Sequence, residues 1–536
     1  MGQLNKNNKA EIPIDNFGGG YAGAKAIGNL LAAEAQDLDN IVILPGGTGF
    51  RNRHGNDQVI LTNNTTEEHM TNTLGLYPFY DGTETWMVRF SLNDGVVSNQ
   101  VYIVAANLAD NTDDLVTSAY ATASYTMSNN DQLVMSDYDN SVMAISNQYV
   151  YPLWAYINTA SGITATLGVG DTPKGKVGMY WNNRCWIGNL SGNESKLQYS
   201  ILLSAGVLPY ASNTWTDTGS GFVEPNRGDS DELIAITPIS NNVLLFFKKR
   251  SVYQVVGRSD PFAVFNLFEG VGCAGRHSLV NVDGIVYFIT PDKRMLITDG
   301  DKIYGDKDVP QLAYADDLWR SVVDSRLQYT YGFRHRGRDF DWIVWLVTTT
   351  GSTNNSAIVW DLRNKCWLRN TTGFAANCAV SYPDGKAYIG VTTYGGIFKL
   401  DADSKYDDDS GGTETFTGGA KTGVSGAVAV AWKWRSDDYN LSLETITQVR
   451  RVNTLSLYSA NGNLDFNYRY DGAADSTDST KAVVPSTLKH TTQTWRPLGR
   501  GDSFGFELNN NSTVSSQISK ITLVGTQKGM KDPGVV

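Results

Sequence analysis

Residues 243–310 read VLLFFKKRSVYQVVGRSDPFAVFNLFEGVGCAGRHSLVNVDGIVYFITPDKRMLITDGDKIYGDKDVP. Short apolar runs alternate with tight polar turns: VLLFF, KKR and SVYQVV, then IVYFI, TPDK and RMLIT. Brief runs rich in Val, Ile, Tyr and Phe, broken by short turns, are β-hairpins. Two in succession predict consecutive blades of an antiparallel repeat.

Working outward, further hairpins centre on QLVMSDYDNSVMAIS (132–146), KVGMYWNNRCWIGN (176–189), YTYGFRHRGRDFDWIVWLV (329–347) and KAYIGVTTYGGIFKL (386–400). With the two above, their turns fall near 138, 183, 249, 293, 336 and 393, at gaps of 45, 66, 44, 43 and 57 residues. Three gaps match a four-stranded blade period of about 40–45 residues, and the longer two hold loop insertions. An isolated blade leaves both faces of its sheet bare, and closing blades into a ring covers them. The expected fold is therefore all-β: a six-bladed β-propeller over 81–440. An N-terminal arm with short helices and a first strand precedes it (1–80), and a small C-terminal β-sandwich follows (441–536). In IVWDLRNKCWLRN, Trp360 and Trp367 are placed to pack on one face or on a neighbouring blade.

The flanks are read as follows. Residues 1–16 are polar and expected to be extended. Ala24–Gln36 has Ile27, Leu30 and Leu31 at helical spacing, and TEEHMTNTLGL (66–76) is expected to be a short helix. TWMVRFSL and SNQVYIVAAN read as strands. LAYADDLWRSVVDS (312–325) carries Leu312, Leu318, Trp319, Val322 and Val323 at helical spacing, for a helix on the propeller rim. The Gly/Asp/Thr-rich stretch 402–426 reads as a long exposed loop, with 205–231 a second long loop. VAVAWKWRSDDYNL (428–441) is a candidate ring-closing strand, and the alternating runs after 446 form the sandwich.

Composition narrows the function classes. Glycine outnumbers proline 53 to 15, and 27 Tyr, 19 Phe and 13 Trp favour a turn-rich β protein. The net charge of −11 argues against a dedicated nucleic-acid binder that works by phosphate neutralisation. Cys185, Cys273, Cys366 and Cys378 are scattered without a CxxC pair, which predicts reduced thiols and no zinc knuckle. The N-terminus lacks the apolar core of a secretory signal, and no window is apolar enough to span a membrane.

No constellation carries catalytic chemistry. Gly18, Gly20 and Gly23 spell GxGxxG, but Pro13 spoils the strand that should precede a dinucleotide site. Asp299, Asp301, Asp306 and Asp308, and separately Asp407, Asp408 and Asp409, miss the calcium-loop spacing and read as solvated turns. His54, His69, His277, His335 and His490 are isolated from one another and from the cysteines. Ser251 and Ser278 lack a nucleophile elbow. No repeated Asp box marks a propeller sialidase, and no two carboxylates stand out as a glycosidase pair. Arg334, Arg336 and Arg338 surround His335 in the densest basic turn, suited to a phosphate or an acidic partner, or to solvent. Arg500-Gly501-Asp502 is a chance tripeptide. No catalytic, cofactor-binding or metal-binding residue is assigned, and no cofactor is expected.

The run FKKRSVYQVVG followed by FNLFEGVGCAGRHSLVNVDGIVYFITPDKRMLITDG resembles the propeller core of the tail nozzle proteins of short-tailed bacteriophages. These are also called tail tubular protein B, tail hub or DNA-stabilisation proteins. FGGGYAG…LLAAEAQDLDNIVILPGGTGFRNRHG resembles that family's opening, so the likeness covers roughly 15–60 and 230–400. It implies a non-enzymatic virion protein, assembled in the host cytoplasm and resident in the tail. Six copies would form a tube below the portal adaptor, the head–tail connector. That tube would contact tail fibres or spikes, retain the packaged genome and guide its ejection. DNA would traverse the lumen without sequence-specific binding, helped by acidic walls that repel phosphate, and no stable membrane insertion is implied. Two other readings stay open on the residues: a carbohydrate- or receptor-binding propeller, and a propeller glycoside hydrolase.

Overall fold

The computed structural model describes residues 9–25, 34–53, 55–58, 70–93, 100–107, 114–116, 120–121, 131–158, 162–204, 209–210, 213–371, 373–383, 385–391 and 397–404. Beyond these it describes the strands up to Gln527 named below, with adjoining turns. The chain is all-β, and its centre is a β-propeller.

Each blade is an antiparallel sheet built outward from an inner strand. Blade 2 comprises Val134–Tyr138, Ser141–Ile145, Leu153–Asn158 and Gly162–Leu167. Blade 3 comprises Val177–Trp181, Arg184–Leu190, Asn193–Tyr199 and Gly221–Val223. The stretch 243–310 supplies most of blades 4 and 5. Blade 4 is Leu233–Ser240, Val243–Lys248, Ser251–Val256 and Ala263–Glu269, and blade 5 is Leu279–Val282, Ile285–Ile289, Met295–Thr298 and Ile303–Tyr304. The expected hairpins are present in register, with Val243 opposite Val256 and Ile289 opposite Met295. Blade 6 is Tyr331–Arg336, Asp341–Val347, Ser356–Asp361 and Cys366–Asn370. Trp360 lies directly opposite Trp367 in that blade, with ring centroids 5.0 Å apart. Blade 7 is Ala376–Ser381, Ala387–Val391 and Ile397–Ser404, finished by Gly55–Gln58.

Among the described residues the ring holds seven sheets, one more than the hairpin count predicts. The additional blade 1 comprises Met70–Tyr80, Thr85–Asn93 and Gln100–Asn107, with Asp114–Val116 and Tyr120–Ala121 outermost. Its inner strand touches the inner strands of blades 2 and 7, which closes the circle. The described part of 66–76 is thus strand, not helix. MTNTLGL has weak strand propensity, and pairing along Thr85–Asn93 overrides it. Gly75 eases the close approach to blade 2 there, since a Cβ would lie 2.6 Å from Met135 Sδ and 3.0 Å from Leu133 Cβ.

Inter-blade layers form the core. Leu74 and Phe90 meet Val142 and Leu153 between blades 1 and 2, and Trp186 and Leu197 meet Phe246 and Tyr253 between blades 3 and 4. Leu245 and Phe247 meet Val286 and Phe288 between blades 4 and 5. Each such layer removes both sheet faces from water, at about 25 cal/mol per Å² of apolar surface.

The N-terminal segment is not a free arm. Lys9–Ile14 pairs with Ser516–Gln527, and Ile41–Ile43 and Phe50–Asn52 extend the same sheet, which also holds Ile446–Tyr458 and Thr491–Trp495. Asp37–Asp39 pairs with Trp432–Arg435 in a second sheet with Ser503–Asn510, Gly462–Tyr470, Ser476–Val483 and Tyr439–Asn440. Phe17, Phe50, Trp434, Phe466, Trp495 and Phe506 pack in contact through the sandwich core. The sandwich therefore takes strands from both ends of the chain, and the propeller is inserted between them. Trp432–Arg435 lies in the sandwich and does not close the ring; Gly55–Gln58 does.

Two further expectations change. Most of Ala24–Gln36 lies outside the described residues, and its end Glu34–Ala35 is a strand pairing parallel with Gly20–Tyr21 on the edge of blade 6. Within 402–426, Thr413–Thr417 and Ala420–Ser425 form a two-stranded ribbon, and Tyr406–Asp407 pairs with Val428–Ala429. The helix expected over 312–325 is present as a 3-10 turn, Pro310–Ala315, leading into an α-helix, Asp316–Ser321, with Leu318 and Trp319 buried. No described helix is long and apolar enough to cross a membrane.

Candidate functional site at the mouth of the propeller axis

Inner strands of a propeller all start at one end of its axis, so the residues just before them converge there. Asp131, Lys176, Glu232, Arg276 and Tyr329 hold these positions for blades 2 to 6. With Asn189 of blade 3 and Lys249 in the central turn of blade 4, they line a recess of about 570 Å³.

Side-chain bonds between blades hold the floor of this recess. Gln132, fully buried at the start of blade 2, donates its amide to the carbonyls of Tyr329 (2.8 Å) before blade 6 and Asn377 (2.9 Å) in blade 7. Asn377 donates back to the Asp131 carbonyl at 3.1 Å. Arg276 donates to the carbonyls of Ser146 (2.5 Å) and Lys176 (3.2 Å), tying blade 5 to blades 2 and 3. These bonds tie together blades that are not all neighbours in the ring.

Charges of both signs face the recess. Lys176 Nζ lies 3.6 Å from Glu232, and Asp324 is paired with Lys293. The Asn189 amide donates to the Leu233 carbonyl at 2.7 Å and lies 3.4 Å from Glu232 Oε2. Its buried Oδ1 has no donor. His277, beneath the rim, stacks on Tyr331 with centroids 4.3 Å apart, and its covered Nε2 has no partner. Burial, reinforced by the Arg276 charge, pushes its pKa down to about 3, against a bond to the Gln132 backbone that raises it. The ring is neutral at physiological pH.

The residues weighed in the sequence are dispersed. Gly20 holds φ +61°, and a Cβ there would lie 2.7 Å from both Cys366 Cβ and the Trp367 carbonyl oxygen. The glycine-rich opening thus lets the N-terminal strand press against blade 6, and no nucleotide cradle forms. Asp299 accepts from the amides of Asp301 and Lys302, both at 3.0 Å, and from Tyr304 at 2.8 Å, the bonding of a self-satisfied turn. No three His, Cys, Asp or Glu side chains converge on a metal-sized site among the described residues. Ser251 donates to Asp231 at 2.7 Å, and Ser278 is locked to Gly275 and Cys273.

The basic turn breaks up as well. Arg334 makes a two-pronged pair with Asp341 at 2.9 and 2.7 Å, His335 is buried against Phe340, and only Arg336 and Arg338 face solvent. All four cysteines are buried and free, and burial raises every thiol pKa. His54, His69, His490, Asp408, Asp409 and Arg500-Gly501-Asp502 lie outside the described residues. Sequence reasoning missed Lys176, Asn189, Glu232, Lys249 and Arg276. Their shared signal is a polar residue at a blade start, a turn or a strand end, which faces the recess only when the ring closes.

No family model matches this chain, and no curated protein does. Among solved structures it is similar to β-propellers. One is the WD40 propeller domain of Doa1, at 8% identity and TM-score 0.37, covering 65% of this chain and 96% of that one. Another is the propeller domain of Myceliophteria thermophila Cps50 (Swd1), at 8% identity and TM-score 0.38, covering 62% and 97%. Likeness at this level says nothing about what the chain binds or does, and the propeller assignment stands on its strand pairing.

Proposed function

We propose that this chain is a structural subunit of a bacteriophage tail nozzle, one of six that surround a DNA channel below the portal adaptor. The observation that carries this reading is the resemblance of 243–310 and of the glycine-rich opening to the tail nozzle family. Three features support it. The glycine-rich opening and the propeller core, the two resembling stretches, are physically stitched together at the edge of blade 6. Side-chain bonds tie non-neighbouring blades together at the mouth of the axis, and the DNA path in such an assembly runs between copies. Exposed acidic turns, including Asp299, Asp301, Asp306 and Asp308, give a surface that repels phosphate. A ring of this kind is built from heterologous contacts around a closed cyclic axis. Electron microscopy of the purified chain tests the reading: six-fold rings or tubes are expected, and a monomer at every concentration examined counts against it.

A further inference from the structure

We propose that the mouth of the propeller axis binds a neutral polyhydroxylated ligand, a saccharide of one or two rings. The inference stands independently of the tail role. Four observations carry it.

The recess has the volume of a small-molecule site, about 570 Å³, within the usual range of roughly 300–1,000 Å³. Five blades line it and the bridging bonds of Gln132 and Arg276 hold its floor, so it is formed before any ligand arrives.

Its charges balance. Lys176, Lys249 and Arg276 face Asp131, Glu232 and Asp324. A compact anion meets the carboxylates, and a compact cation meets the ammonium and guanidinium groups. A hydroxyl both donates and accepts, so a ring of hydroxyls satisfies neighbours of either sign.

Asn189 supplies the specific signal. It is 1% exposed and lines the recess, its nitrogen is committed to the Leu233 carbonyl, and its Oδ1 lacks a donor. Leaving such an acceptor unmade costs about 1–3 kcal/mol, so the site calls for a donor from outside the protein. Gln132 Oε1, next in the chain to the lining residue Asp131, lacks a donor too.

The recess also offers an apolar surface. Half-buried Ile234 and Tyr329 line it, and the Tyr329 ring is held by the Arg326 guanidinium 3.9 Å from its centroid. A sugar presents a C–H face to such a surface and hydroxyls around its rim.

Saturation-transfer NMR and titration calorimetry with glucose, galactose, N-acetylglucosamine and lactose test this, with sodium sulfate and spermidine as charged probes. Saturable binding of at least one sugar is expected at up to millimolar concentration. The double variant Lys249→Met/Glu232→Gln is expected to weaken it by about tenfold or more, and Phe265→Ser, on the exposed outer strand of blade 4, to leave it unchanged. Thermal unfolding reports whether the double variant is folded; if it is not, Lys249→Met alone, at an exposed turn, takes its place. The proposal is overturned if no sugar binds, if sugar binding survives the mouth variant unchanged, or if sulfate or spermidine saturates the site and sugars do not.

Discussion

At the scale of single residues, burial decides the chemistry. His277 has a histidine's ordinary sequence context, yet its position beside Arg276 and on Tyr331 keeps the folded imidazole neutral until about pH 3. In the unfolded chain it takes up a proton below about pH 6.5. Between those values the unfolded state binds more protons, so stability falls as pH is lowered, by at most about 1.4 kcal/mol per pH unit from this group. Thermal unfolding followed from pH 7 to pH 4 is expected to show a shallower acid decline for His277→Phe than for the natural protein. Parallel declines would remove His277 from the account. Lys248 shows another use of a buried polar group: its Nζ bonds Asp229 at 2.8 Å and the Pro225 carbonyl at 2.9 Å, which pins the loop before blade 4.

At the scale of elements, the ring depends on strands brought from elsewhere in the chain. Blade 7 ends in Gly55–Gln58, whose Asn56 is fully buried and donates to the Gly373 carbonyl at 2.5 Å while accepting from Arg53 at 2.9 Å. Asn56→Ala leaves the Gly373 carbonyl without this donor and Arg53 without this acceptor, at a cost of about 1–3 kcal/mol. The expected result is a lower urea midpoint with an unchanged m-value, since the folded surface is the same. An unchanged midpoint would show that this strand adds nothing to closure.

At the scale of the whole molecule, the propeller and the sandwich are one interleaved unit. Asp37 of the sandwich pairs with Arg369 of blade 6 at 2.9 Å and with Lys433 at 3.0 Å, and the Asn40 backbone N–H donates to the Arg369 carbonyl at 3.0 Å. The net charge of −11 belongs to this scale. Fluorescence anisotropy with a labelled short duplex is expected to show no saturable binding at about 0.15 M ionic strength, where screening is nearly complete beyond roughly 8 Å. Tight binding with a steep salt dependence would instead reveal a basic face and contradict an acidic DNA conduit.

Period-two alternation and turn chemistry are local, so VLLFFKKRSVYQVV and its successors announced their own hairpins, and six of the blades were legible from residue order. Of blade 1 only TWMVRFSL and SNQVYIVAAN were legible as strands, because MTNTLGL owes its own to partners and to the close approach that Gly75 permits. The sandwich was legible only in its C-terminal half. Its N-terminal strands are short, and only pairing with residues more than 300 positions away gives them a place. The mouth of the axis lay wholly beyond the sequence. Lys176, Asn189, Glu232, Lys249 and Arg276 are unremarked polar residues until ring closure points them at a shared recess. The sequence by itself determined what each segment prefers; the tertiary structure decided which distant segments meet, because that choice rests on non-local burial and pairing.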